Sequence, residues 1–257
     1  MSRTISSARQ LYIIIAVFLL ALAASSILAV LVGGRILDRL VGNTDLESFD
    51  DYAAVIKYSE PIPKMTVTSS AGVVEIPIDG KINVVLPQYV NCPDVCHWES
   101  SIIVYLMKML MDDGLIDEVA FVTIGTNPYY ETLQDGVDYM NLVAGDLIDQ
   151  GVFWIWVQEE NYQDQKPIWE AFKIAVQPYC IMEDGTILDT VSEEEFLKLY
   201  EEQSCETYGV THTAGFIVVD RDGYMRYFIS PTDDGWKRGQ DKVAEAIYNV
   251  ITELLNS

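Results

Sequence analysis

The sequence predicts an α/β domain, a mixed sheet with helices on both faces, preceded by one transmembrane helix. Three observations carry this. Short runs rich in Val, Ile and Phe alternate with longer amphipathic runs across the middle of the chain. Two further strand-like runs and an amphipathic helix close it. Near the start, Leu11 to Gly34 contain no charged side chain.

The elements follow in order. Met65–Thr68 and Val73–Ile78, joined by Ser69-Ser70-Ala71-Gly72, read as a hairpin, and Asp79-Gly80 as a second turn. Ile82–Val90 is apolar enough to be a buried strand. Ser100–Met111 has the length and period of a helix and runs into Asp112-Asp113-Gly114. Glu118–Ile124 is a second buried strand, 130–148 a helix and Gly151–Val157 a strand. Lys166–Val176 reads as a short helix that Pro167 starts. Residues 178–210 are less regular and hold an acidic helix over Ser192–Glu202. Thr213–Asp220 and Tyr224–Ile229 flank the turn Arg221-Asp222-Gly223, and a helix over Gly239–Leu255 ends the chain. Strands alternating with helices, then a hairpin, give a mixed sheet covered on both faces.

Cys92-Pro93-Asp94-Val95-Cys96 falls where the first buried strand turns into its helix. With two cysteines at that turn, the arrangement is that of a thioredoxin-like domain. First-turn N–H groups are unpaired and the helix dipole favours negative charge, so a thiol there is expected to ionise readily. Pro93 suits a first turn, where its missing N–H costs nothing. With Cys92 capping the turn, both sulfurs point to one side. Three uses follow: a structural disulfide, a dithiol–disulfide redox site, or a site for a soft metal ion.

The metal reading needs a third ligand, and the chain has 2 histidines. His97 follows Cys96 directly and should point about a quarter-turn away from it, as a surface neighbour. His212 precedes the 213–220 strand. In a thioredoxin-like sheet, the loop before that strand returns beside the first helix's N-terminus. Cys92, Cys96 and His212 then form a Cys2His set, suited to Cu(I) in a trigonal site or Cu(II) with a further ligand. Structural zinc usually takes four protein ligands, and no fourth is placed. Cys180 and Cys205 lack zinc-pair spacing and read as a disulfide pinning the 178–210 segment. Met107, Met109 and Met111 read as core filler. Asp112-Asp113, Glu193-Glu194-Glu195 and Asp233-Asp234 read as solvated surface.

Charge and compartment bound the rest. With 16 basic and 39 acidic side chains the net charge is −23, which argues against nucleic acid. The uncharged run 11–34 exceeds the ~20 residues a spanning helix needs. A cleaved signal peptide is the rival reading, through Ala21-Leu22-Ala23. The expected layout is a cytoplasmic 1–10, an anchor over 11–34, a tether over 35–63, and an extracytoplasmic domain over 64–257. A two-cysteine site on a large acidic domain suits the oxidising side of a cell membrane.

These residues resemble the Sco (SenC) family, membrane-tethered thioredoxin-like proteins associated with assembly of the copper centre of cytochrome c oxidase. The resemblance runs through Gly80-Lys81, Asn91-Cys92-Pro93-Asp94-Val95-Cys96, and His212 ahead of Ala214-Gly215-Phe216-Ile217-Val218-Val219-Asp220-Arg221-Asp222-Gly223. Asn127-Pro128-Tyr129-Tyr130-Glu131-Thr132 is similar to the family's Asp-Pro-x-Arg-Asp-Thr segment. It covers the chain from about Met65 to its end. In the family both cysteines and the histidine bind copper, which the resemblance carries to Cys92, Cys96 and His212. The family's Pro after the second cysteine is His97 here, and its Asp before the histidine is Thr211. Tyr130 and Glu131 stand at the Arg and Asp of the middle segment. These departures bear on partner contacts and tuning of the site. A peroxiredoxin-type peroxidase is a poorer match, because Val90 and Asn91 stand where its Thr is required. The resemblance implies a membrane-anchored copper chaperone delivering to a copper-binding oxidase subunit. The alternative is a thiol–disulfide oxidoreductase acting through Cys92 and Cys96, supplied by a thiol reductant.

Overall fold

Four apolar runs form the centre of the protein: strands β5 (Ile82–Gln88), β6 (Val119–Gly125), β7 (Trp154–Val157) and β11 (Phe216–Val219). Every residue in them is buried. The period of two explains how. Val84, Leu86, Phe121, Trp154, Trp156, Phe216 and Val218 face one cluster, while Val85, Val122, Ile124, Ile155, Val157, Ile217 and Val219 face another. A strand buried on both faces has no solvent side to show, hence the largely apolar runs, in which the buried polar side chains Asn83, Gln88 and Thr123 are each hydrogen-bonded. A computed structural model describes residues 45–49, 51–93, 95–188 and 193–257, all within one unit, Asp45–Ser257. The run 11–34 lies outside the described residues. Among the described residues no helix is long and apolar enough to cross a membrane.

The remaining strands of the sheet are β1 (Asp45–Phe49), β2 (Ala53–Pro61), the hairpin β3 (Met65–Ser69) and β4 (Gly72–Ile76), and β12 (Tyr224–Pro231). The order is β1-β2-β12-β11-β5-β6-β7-β3-β4. The β5, β6 and β7 strands run parallel, and the flanking pairs are antiparallel. One face is covered by α1 (Cys96–Asp112), α2 (Leu133–Asp149) and α6 (Gln240–Leu255), through Ile102, Leu106, Leu110, Met140, Val243, Ile247 and Ile251. The other is covered by α3 (Tyr162–Ala171) and α4 (Glu193–Glu201), through Ile168, Trp169 and Phe196. A short α5 (Asp233–Arg238) precedes α6. Met107 is buried in the first cluster, with Met109 and Met111 packed against it, as core filler.

Several expectations are corrected. Residues 53–61 are not tether. They form β2, paired with β12 through Phe228↔Ile56 and Ile229↔Val55, because Ala53 and Val55 reach the core while Ser59 further along the strand faces out. The domain therefore begins before residue 64. The 178–210 stretch is more regular than expected. Strands β8 (Val176–Ile181), β9 (Ile187–Leu188) and β10 (Thr207–His212) form a second, antiparallel sheet in the order β10-β8-β9. The expected Cys180–Cys205 disulfide is present, joining β8 to the chain just ahead of β10. By loop closure alone it contributes roughly 3 kcal/mol. Pro167 lies inside α3 rather than at its start, because Asn161 caps the helix from five residues earlier than Lys166, its side chain accepting from the Asp164 N–H at 3.0 Å. Likewise α2 starts at Leu133, behind a Thr132/Asp135 capping box.

Candidate metal centre

Topology brings the site together. The β5 strand ends at Gln88, and the chain then passes through Cys92 into α1. Strand β11 is antiparallel to β5, with Ile217 opposite Val85, so β11 starts beside the end at which β5 stops. His212, just before β11, is thereby carried to the cysteine turn. It ends β10 opposite Val176 in the second sheet. Its neighbour Thr213 is pinned twice to Ala175, donating its N–H to the Ala175 carbonyl at 2.9 Å and accepting the Ala175 N–H on Oγ1 at 2.9 Å.

The ligand atoms of Cys92, Cys96 and His212 all lie within 4.8 Å of one another. The Cys96 sulfur is 3.5 Å from His212 Nε2. His212 Nδ1 lies 2.8 Å from the Thr213 carbonyl. A carbonyl only accepts, so Nδ1 carries a proton, and in the neutral ring it is Nε2 that is bare and turned toward the sulfurs. The Tyr89 ring meets His212 edge-on at 5.7 Å. Both cysteines are reduced, Cys92 half-buried and Cys96 2 % exposed. His97 is exposed, its ring 4.5 Å from that of Trp98, and it stands apart from the set.

Two details differ from the sequence expectation. Helix α1 starts at Cys96 itself, and Val95, not Cys92, is its N-cap. The helix terminus also does not make Cys96 acidic. Burial pushes its pKa far up, and the Cys92 thiol and Glu99 carboxylate push the same way. Desolvation of a thiolate outweighs a dipole effect that is worth about 1 kcal/mol. For His212 burial alone would lower the pKa, but the Cys92 thiol, Glu99 and the Thr213 carbonyl outweigh it and raise the pKa above 6.5.

Sequence reasoning noted Glu131 only as a departure from the family's segment and missed Gln88 and Glu99, the other polar groups that hold the site. Glu131, 5 % exposed, grips the turn ahead of Cys92. Its carboxylate accepts the Val90 N–H at 2.7 Å, the Asn91 N–H at 2.7 Å and the Asn91 side-chain amide at 3.1 Å. Burial raises its pKa and these bonds offset part of the rise. Gln88 Nε2 donates to the Cys96 carbonyl at 2.9 Å and to Ser100 Oγ at 3.1 Å, tying the start of α1 to β5. Glu99, in the first turn of α1, is fully buried.

Burial raises the Glu99 pKa from 4.5 to about 7, against the opposing pull of His212 and the Gly215 N–H. A folded pKa above the unfolded one means the folded chain holds a proton that the unfolded chain has lost. Stability from Glu99 is therefore complete below the ordinary carboxylate range and is lost as pH rises through about 7. The swing is on the order of 3 kcal/mol. Chemical denaturation of the metal-free protein at mildly acidic and mildly alkaline pH should show it, and Glu99→Gln should remove that component. An identical pH dependence in the two proteins would refute the assignment.

No protein-family model matches the sequence, and no curated protein does. Solved structures do match. A SCO1/SenC family lipoprotein from Bacillus anthracis aligns at TM-score 0.53 and 16% identity, over 77% of this chain and 97% of its own. Apo Sco1 from Thermus thermophilus aligns at 0.50 and 14%, over 77% and 92%. ScoI from Arabidopsis thaliana, solved with copper bound, aligns at 0.50 and 14%, over 74% and 98%. At these identities the likeness establishes the fold. The chain is built as a mixed-sheet α/β domain of the kind these proteins share, and it sets two cysteines and a histidine together at the end of β5.

Proposed function

We propose that the chain is a membrane-anchored protein of the Sco type, which carries copper on Cys92, Cys96 and His212 and delivers it to a copper-binding subunit of a respiratory oxidase. One observation carries the reading: two reduced sulfurs and an imidazole nitrogen lie within 4.8 Å of one another. The donor set fits the cargo, since thiolates favour Cu(I) and imidazole accommodates either oxidation state. The fold likeness to ScoI, solved with copper bound, supports it. The oxidase as recipient rests on the sequence resemblance.

In this reading each residue has a defined part. Cys92 and Cys96 give up their protons and supply thiolates. His212 supplies Nε2, held toward the sulfurs by its Nδ1–H on the Thr213 carbonyl. Loading releases protons, so binding weakens as pH falls. Anaerobic titration of the reduced protein with Cu(I) should saturate at about one ion per chain. Absence of saturable binding ends the copper reading.

A thiol–disulfide oxidoreductase is the second reading, favoured by the unequal exposure of the two reduced thiols. Cys92, the more accessible, would attack a partner disulfide, and buried Cys96 would resolve the mixed disulfide. Thiol exchange does not need His212, which separates the two readings.

The uncharged run 11–34 supports a single-pass anchor, with the domain outside the cytoplasm. The Cys180–Cys205 disulfide fits an oxidising compartment. Mass spectrometry of the membrane-extracted protein should find residues 11–34 still attached. A mature N-terminus near Ala24 would replace the anchor with a cleaved signal.

A further inference from the structure

Glu99 is an expensive residue to keep where it is. It is fully buried, and desolvating a carboxylate is costly unless its oxygens are paired. Oε1 accepts the Gly215 N–H at 3.0 Å. Among the described residues Oε2 has no close hydrogen-bond partner, although the nearby Gln88 side chain helps to hold the carboxylate's pKa down. A carboxylate that only filled space in this core would be better replaced by an apolar side chain, because its neighbours on the same stripe of α1 are Ile102, Ile103 and Leu106.

Its bond to Gly215 reaches across the site. The Cys96–His212 contact and the Glu99–Gly215 bond each span 116 residues. The two run in register, three residues apart, between the first turn of α1 and the loop leading into β11. Gly215 is the residue this close approach requires. Its φ is +133°, and an added Cβ would lie 2.6 Å from the Ile229 carbonyl oxygen and 2.9 Å from the Phe228 ring. Its N–H is taken up by Glu99.

We infer that Glu99 is a positioning residue for the metal centre: its buried carboxylate fastens the His212–Gly215 loop to the helix that carries Cys96, and so sets the nitrogen–sulfur separation. This rests on the copper reading proposed above and adds what governs the geometry of that site. The role belongs to an outer partner that orients a ligand without touching the metal. Its loss should weigh on the ion that depends on the imidazole. Cu(II) prefers nitrogen donors and a larger coordination set, whereas Cu(I) is held by the two sulfurs.

The test uses the full chain in detergent, reduced and metal-free, titrated separately with Cu(II) and Cu(I). Glu99→Leu is expected to weaken Cu(II) binding about 10- to 100-fold and to move its visible charge-transfer band. Cu(I) affinity should change by no more than about threefold, because both thiolates remain. Glu99→Gln keeps an oxygen for the Gly215 N–H and should restore the band, a rescue that a role as mere bulk does not predict. Glu99→Asp draws the acceptor back by one methylene and should give an intermediate shift, which serves if Glu99→Leu does not fold. A folded Glu99→Leu or Glu99→Asp with the wild-type band and Cu(II) affinity overturns the inference and leaves the copper reading intact. Failure of the wild type itself to bind copper overturns the copper reading, and the positioning role with it.

Discussion

Replacing His212 with Ala is expected to weaken Cu(II) binding by at least about 100-fold, beyond the range typical for losing an outer-shell partner. The imidazole is the single nitrogen donor of the Cys92, Cys96 and His212 set. Removing it leaves two sulfurs, which hold Cu(I) but make a poor site for Cu(II). The fold should survive, because His212 is half-buried at the end of β10 and Thr213 keeps both bonds to Ala175. Thiol–disulfide reaction of Cys92 and Cys96 should continue at a similar rate. Parallel Cu(II) and Cu(I) titrations of the variant, with the visible spectrum recorded, make the check. A variant that binds Cu(II) with the wild-type spectrum and affinity removes His212 from the site, and the oxidoreductase reading then leads.

Much of this centre was legible in the sequence because its signals are local. An apolar run, a Cys-Pro-x-x-Cys turn and an amphipathic run place the cysteines without knowledge of any distant contact. His212 was found by elimination between two histidines and by the position of the strand after it. The missing parts depend on contacts far apart in the chain. Strand β2 was hidden because Lys57, Ser59 and Glu60 make the segment read as linker, and its pairing to β12 lies more than 160 residues away. The second sheet was hidden because β8 and β10 pair across the disulfide-closed segment. The acidity of Cys96 was misjudged because helix position is visible in a sequence and depth of burial is not. Glu99 did leave a signal. It occupies an apolar stripe with Ile102, Ile103, Leu106, Met107 and Leu110, at helical spacing, where a surface acid would not fall.

Glu131→Gln is expected to destabilise the protein by about 2–3 kcal/mol and to loosen the grip on both copper oxidation states. Both Glu131 oxygens are engaged, one by the Val90 N–H and the other by the backbone and side-chain amides of Asn91. Exchanging one oxygen for NH2 sets a donor against a donor whichever way the amide turns, leaving the N–H of half-buried Val90 or that of exposed Asn91 without its carboxylate acceptor. The same exchange at Glu99 is milder, since the Gly215 N–H on Oε1 is its one close donor among the described residues and the amide oxygen can take that bond over. The turn that Glu131 holds leads straight into Cys92, so its release acts on a sulfur ligand. Cu(I) affinity should therefore fall along with Cu(II), unlike the outcome for His212→Ala. Chemical denaturation and competitive Cu(I) titration read the two effects independently. An unchanged denaturation midpoint together with wild-type Cu(I) affinity would show that the Cys92 turn holds its shape without this carboxylate.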